Sequence, residues 1–132
     1  GDPCRLIGYS QKYVSTQISK GELPDNRTWR LPKGREYMQY GFTPENKVGS
    51  WANGWNFNNG KFLPASGMRS VADGQLRESG VGYYWLSDYF TISDDFGKQY
   101  MGRGSKVSSE KVIEEGVVYH SAAGFQIRCV RQ

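Results

Sequence analysis

Hydrophobic and polar positions alternate most regularly at the carboxyl end. In GFQIRCVR, Phe125, Ile127 and Cys129 fall on one side of an extended chain, and Gln126, Arg128 and Val130 on the other. Bounded by Gly124, the run predicts a terminal strand. A second β-rich run, VGYYWLSDYFTI, follows Gly80. Tyr83 and Tyr84 alternate within it, so one is expected to point inward and the other outward. GVVYH and KQYMG predict two shorter strands. Helical signals are few. LPKGREYMQYGF predicts one short helix, with Pro32 near its start and Gly41 just past its end. Gly34 weakens it by ~1 kcal/mol relative to alanine. SSEKVIEEG offers Ser108 or Ser109 as a cap and Gly116 as a stop, and is expected to be one helical turn or a long loop. TPENKVGSWANGWNFNNGKF has no periodicity. It is rich in Asn and Gly, and reads as a loop held down by its aromatics.

These elements predict an α+β domain: a twisted, mainly antiparallel sheet, one or two short helices and long irregular loops. The chain has 132 residues and shows no internal repeat, so one domain over 1–132 is expected. Aromatics at 14% and 17 glycines fit a turn-rich globular chain with large anchors. No apolar run approaches the ~18 residues of a membrane helix, so no membrane insertion is expected. No leader is visible. Gly1 reads as a scar, with trimming of a leader or an upstream domain as the expectation.

The net charge of +4 mildly favours polyanionic partners, with sulfated glycans among them. The basic residues are scattered, however, which is the pattern of ordinary solubility charge and does not point to nucleic acid. The cysteines are Cys4 and Cys129. Free thiols, metal ligands and a bridge are all open to them, although with a single histidine their spacing makes no zinc site. A bridge would close nearly the whole chain, contribute on the order of 4–5 kcal/mol and place the protein in an oxidising compartment. It would also require both chain ends to lie side by side.

Four stretches, TWRLPKGREY, FLPASGMRSVADGQL, GVGYYWLSD and AAGFQIRCVR, occur in an order and spacing that resemble the Fibrobacter succinogenes major paralogous domain family. DPC at the amino end is similar to that family's usual start, so the resemblance runs from Asp2 to Arg131. It implies a C-type-lectin-like fold, in the broad group that includes formylglycine-generating enzymes. It implies that the first and last strands pair, that the termini are adjacent and that Cys4 bridges Cys129. It also makes Trp29, Arg30, Arg69, Trp85 and Arg128 structural: the tryptophans as core, and Arg69 and Arg128 as hydrogen-bond donors to backbone or carboxylate. The chain departs from the family in three places. Lys33 stands where Ser or Thr usually caps the first helix, which should weaken its start. Leu86 replaces a serine of the usual YYWSS. RLIGYSQKYVSTQISKGELPDNRT is an unusually long stretch before the WRLP element, expected as a hairpin or an added edge strand.

Chemistry is sparse. His120 has no motif-marked partner for nucleophilic catalysis and reads as a surface or strand-end residue. Asp94–Asp95 and Glu114–Glu115 are adjacent pairs whose side chains diverge, and the separation across a cleft that glycosidase chemistry needs is not visible in them. The sugar–calcium tripeptides of C-type lectins are missing: TPEN has Pro44, Glu45 and Asn46 in the wrong order, and no acid follows Trp55–Asn56. No metal or cofactor is therefore expected, although an oxygen site using Asp94 or Asp95 is a minor alternative. WANGWNFNN carries the best candidate surface: Trp51, Trp55 and Phe57 as stacking faces and Asn56 as a hydroxyl partner. The bland alternative is that these rings pin a long loop to the core. Lys98, Arg103, Lys106 and Lys111 are candidates for anionic partners if their hairpin is exposed, with Arg103 and Lys106 preferred. The functional expectation is a monomeric, non-catalytic adhesion module. The resemblance places it in surface lipoproteins and fimbria-associated proteins of gut-type bacteria, with a glycan or protein ligand outside the cell. The alternatives are a docking domain of a surface assembly, marked by a flat apolar patch, and an oxidase-like enzyme, which needs a free activated cysteine.

Overall fold

The computed structural model describes residues 2–22, 28–94 and 97–132, without the side chains at 89, 90, 94 and 115. It is an α+β structure whose strand ladders are antiparallel, with isolated parallel bridges at Gly67–Gly82 and Tyr84–Gln126. The helices are α1, Gln11–Ser19, and α2, Gly34–Gln39. The strands are β1 (Trp29–Arg30), β2 (Lys47–Val48), β3 (Gly54–Phe57), β4 (Phe62–Pro64), β5 (Met68–Arg69), β6 (Leu76–Arg77), β7 (Gly82–Asp94), β8 (Gly97–Val107), β9 (Glu114–His120) and β10 (Val130–Arg131). They form four small sheets, β1-β10, β2-β3-β4, β5-β6 and β7-β8-β9.

The four stretches that carry the resemblance are neighbours in space. Trp29 pairs with Arg131, and Arg69 with Gly124. Gly67 pairs with Gly82, and Tyr84 with Gln126. The Ser87 amide donates to the Pro32 carbonyl at 2.9 Å. Cys4 and Cys129 are bridged, with Cα atoms 5.7 Å apart, and Arg5 Nη1 donates to Gln132 Oε1 at 2.8 Å. The termini are thus adjacent, by a route that differs from the expected one. Cys4 lies on a 3-10 turn, Pro3–Leu6, not on a strand. Pro3 presets the turn and the Asp2 carboxylate caps it by accepting from the Cys4 amide. The partner of the terminal strand is the Trp29–Arg30 pair. The regular ladder of GFQIRCVR is also reduced to Val130–Arg131, with single bridges at Gly124 and Gln126. Phe125 is buried but Ile127 is exposed, so one face of the alternation is not uniformly covered.

Tyr83 and Tyr84 do point to opposite sides, but both are buried, at 2% and 1% exposure. The expectation of one outward ring fails because both faces of β7 are covered. Tyr84 enters the main core with Tyr37, Phe42, Phe57 and Leu63. Tyr83 enters a second cluster with Ala123 and Phe125. A register shift between Trp85 and Tyr89 places extra residues on β7, and Leu86 joins the main core there.

The long early stretch is neither hairpin nor edge strand where it is described. Ser10 caps α1 by accepting from the Tyr13 amide at 3.1 Å, and Gly21 follows with φ +77°. Residues 23–27 lie outside the described residues. At α2, Lys33 has no oxygen to offer. Glu36 compensates: its carboxylate accepts from the Lys33 amide at 2.8 Å. Gly41, at φ +90°, follows the end of the helix. SSEKVIEEG is a loop that leads into β9, closed by Ser108 Oγ, which accepts from the Lys111 amide.

Candidate functional site

The middle stretch read as a loop is the three-stranded sheet β2-β3-β4. Its strands are too short for periodicity to reveal them, and glycines interrupt them. On β3 the alternation places Trp55 and Phe57 inward and Asn56 outward. Phe57 is 2% exposed and meets Phe42 edge-on at 5.0 Å. Trp55 is 6% exposed, and its Nε1 donates to the Ser108 carbonyl at 2.9 Å. Trp51 is half-buried and packs edge-on against Trp55 at 5.3 Å. These rings pin the segment to the core, and Trp55 and Phe57 offer no open stacking platform.

Trp55 also lines a cleft of about 480 Å³. Phe42, Trp55 and Val112 line it deeply, and Met38, Pro44 and Ile113 are further apolar walls. Lys47, Glu45, Glu110 and Lys111 bring charge to it. Lys47 Nζ sits 4.3 Å from the centre of the Trp55 ring, a cation–π contact that covers the ring. Hydrogen bonds from its own amide and from the Thr43 hydroxyl lower the pKa of Glu45, so it carries its charge at neutral pH. The cleft therefore has an apolar interior and charges of both signs, a form suited to holding a ligand.

Of the six expected ligand-binding residues, only Trp55 lines this cleft. Trp51 and Phe57 belong to the packing beside it, and Asn56 faces away. Arg103 is exposed on β8 and Lys106 is half-buried there, and neither reaches the cleft. Lys98 lies over Tyr100, and Lys111 is 4.0 Å from Glu114. Arg69 donates to the Gly74 carbonyl at 3.3 Å and Arg128 to that of Phe62 at 3.0 Å. Arg30 forms a two-pronged pair with Glu36, at 2.7 and 2.9 Å. Trp29 and Trp85 are half-buried, not fully core, and Trp85 stacks on Phe125 at 4.1 Å.

His120 ends β9 and accepts from the Ala122 amide through Nδ1 at 3.1 Å, a local turn contact. The minor calcium alternative rests on Asp95 and the Asp94 side chain, which lie outside the described residues. Among the described residues, no three His, Cys, Asp or Glu side chains converge for a metal, and no helix is long and apolar enough to cross a membrane.

Sequence reasoning missed Met38, Lys47, Val112 and Ile113. Nothing in their local sequence marks them, because three separate segments meet only once β3 is seated on the core. Trp55 was the visible signal, and its neighbours follow from the fold. No family model matches the chain, and no curated protein and no solved structure matches it either.

Proposed function

We propose that this chain is a non-catalytic binding module of an exported bacterial surface protein, with a C-type-lectin-like fold, and that it captures a glycan or a protein through the cleft beside Trp55. The observation that carries this reading is the cleft itself, apolar within and charged at its edges. The mutual pairing of the four motif stretches supports the family assignment. The Cys4–Cys129 bridge is compatible with export. Both cysteines are used in it, which leaves no free thiol for oxidase-like chemistry.

The test is a glycan panel read by tryptophan emission, with the Met38→Asp variant alongside. Met38 is 58% exposed, so the change places a charge at the cleft and leaves the core intact. A saturable response to one glycan, weakened at least ~10-fold in the variant, is the expected result. A response that the variant leaves unchanged overturns capture by this cleft, and silence across the panel overturns the glycan form of the reading.

A second reading, docking within a surface assembly, has its own observation. Tyr9, Tyr13 and Ile18 are exposed on and before α1, and the two tyrosines stack at 5.1 Å. A photo-crosslinker at position 13 in the native assembly should then capture one discrete subunit. Diffuse or absent crosslinks argue against it.

A further inference from the structure

Phe42 lines two recesses. The second, about 250 Å³, opens between the end of α2 and the terminal strand β10. That is below the ~300–1,000 Å³ of drug-sized sites and fits a single ring-sized group. Tyr37, Tyr40 and Phe42 give it aromatic walls, and Lys61, Arg128 and Arg131 give it positive charge. Among the described residues, no carboxylate lines it.

The cations are held in place. The Arg128 guanidinium carbon lies 5.4 Å from the Phe42 ring centre while Nη1 donates to the Phe62 carbonyl. Lys61 Nζ lies 5.7 Å from the Tyr40 ring and 5.9 Å from the Phe42 ring. Tyr40 is 42% exposed, so it presents a ring beside these charges.

Tyr37 closes the recess on its core side, where it is 2% exposed and its hydroxyl is buried away from solvent.

We propose that this recess binds an acidic sugar. Arg128 and Lys61 meet its carboxylate or sulfate, and the Tyr40 ring packs on the sugar face. Arginine offers two parallel donors to an oxyanion, and an aromatic face beside the charge favours a sugar ring over a bare anion. The site is separate from the cleft beside Trp55 and stands whether or not that cleft binds.

The test is calorimetric titration of the intact chain with glucuronate, glucose 6-sulfate, glucose, inorganic sulfate and a short peptide ending in a free carboxylate. At least one of the two acidic sugars should bind, and which one does assigns the oxyanion. Glucose should not bind, and inorganic sulfate should bind about tenfold or more weakly. Lys61→Gln should weaken the acidic sugar about tenfold, and added salt should do the same. Tyr40→Ala should weaken the sugar and leave inorganic sulfate unchanged. That split between the sugar and the bare anion is the decisive comparison, because a purely structural tyrosine would not separate the two ligands. Equal binding of inorganic sulfate and glucose 6-sulfate reduces the site to a nonspecific anion patch and overturns the proposal. Tighter binding of the peptide overturns it in favour of a peptide terminus, and failure of both acidic sugars to bind overturns it outright.

Discussion

Glu36 shows how one side chain can replace what the sequence lacks. Lys33 cannot cap α2 with its own side chain, so the start of the helix depends on the Glu36 carboxylate, which accepts from the Lys33 amide and from both Arg30 donors. The Arg30 bonds, and then the Lys33 amide, pull its pKa to about 2 from 4.5 against the cost of burial. The folded value lies below the ordinary one, so the stabilisation is complete above pH ~4.5 and is lost as pH falls toward ~2. With both side chains partly in contact with solvent, the contribution is about 2 kcal/mol. Glu36→Gln should lower the unfolding free energy measured in urea at pH 7 by that amount and flatten its fall between pH 4.5 and 2. An unchanged acid limb would show that other carboxylates govern it. Gly102 is constrained in a different way, by space. A Cβ there would lie 2.6 Å from the Trp85 ring. Gly102→Ala should therefore cost about 1–3 kcal/mol and shift the Trp85 emission, as checked by thermal melting and fluorescence.

Among the elements, α1 is the least anchored. None of its residues is buried, so its helicity rests on the Ser10 cap and on local bonds. Ser10→Ala should raise amide exchange across 11–19, opening the helix by ~1 kcal/mol, and move the global midpoint little. An equal loss in both would mean that α1 is coupled to the core. The sequence hid this helix because its few apolar residues, Tyr13, Val14 and Ile18, are too sparse to announce a buried stripe. α2 was legible through Pro32 and Gly41, and the long β7–β8–β9 sheet through its aromatic and β-branched runs. The β2-β3-β4 sheet was not, since strands of two to four residues leave no period and their pairing is set by long-range contacts. The same limit applies to the sites. Trp55 was visible as a tryptophan, but the cleft needs Met38, Lys47 and Val112 brought from three places in the chain. Lys61 and Arg128 meet at one recess only through the packing around Phe42.

Cys4 and Cys129 tie the two ends of the described chain together. They are 125 residues apart in sequence, and among the described residues the only strand pairing at that seam is the two-residue β1–β10 pair. A pair so short gains little by itself, so the bridge has to hold the seam. Cross-linking a loop of this length removes about 4–5 kcal/mol of denatured-state freedom in the chain-entropy account. The double change Cys4→Ser with Cys129→Ser should lower unfolding stability by about that amount, measured from denaturant midpoints with the slope followed alongside. The loss should also have an address. Amides of residues 2–6 and 29–31, which meet at the seam, should lose protection first, because the Leu31 amide donates to Asp2 across it. Cys129, Val130 and Arg131 line the recess beside Tyr37, so opening the seam should also loosen that recess while the cleft beside Trp55, which has no residue there, keeps its shape. If removing the bridge instead costs under about 1 kcal/mol, the Arg5–Gln132 contact and the β1–β10 pair close the chain unaided, and the bridge serves only to protect ends that already meet.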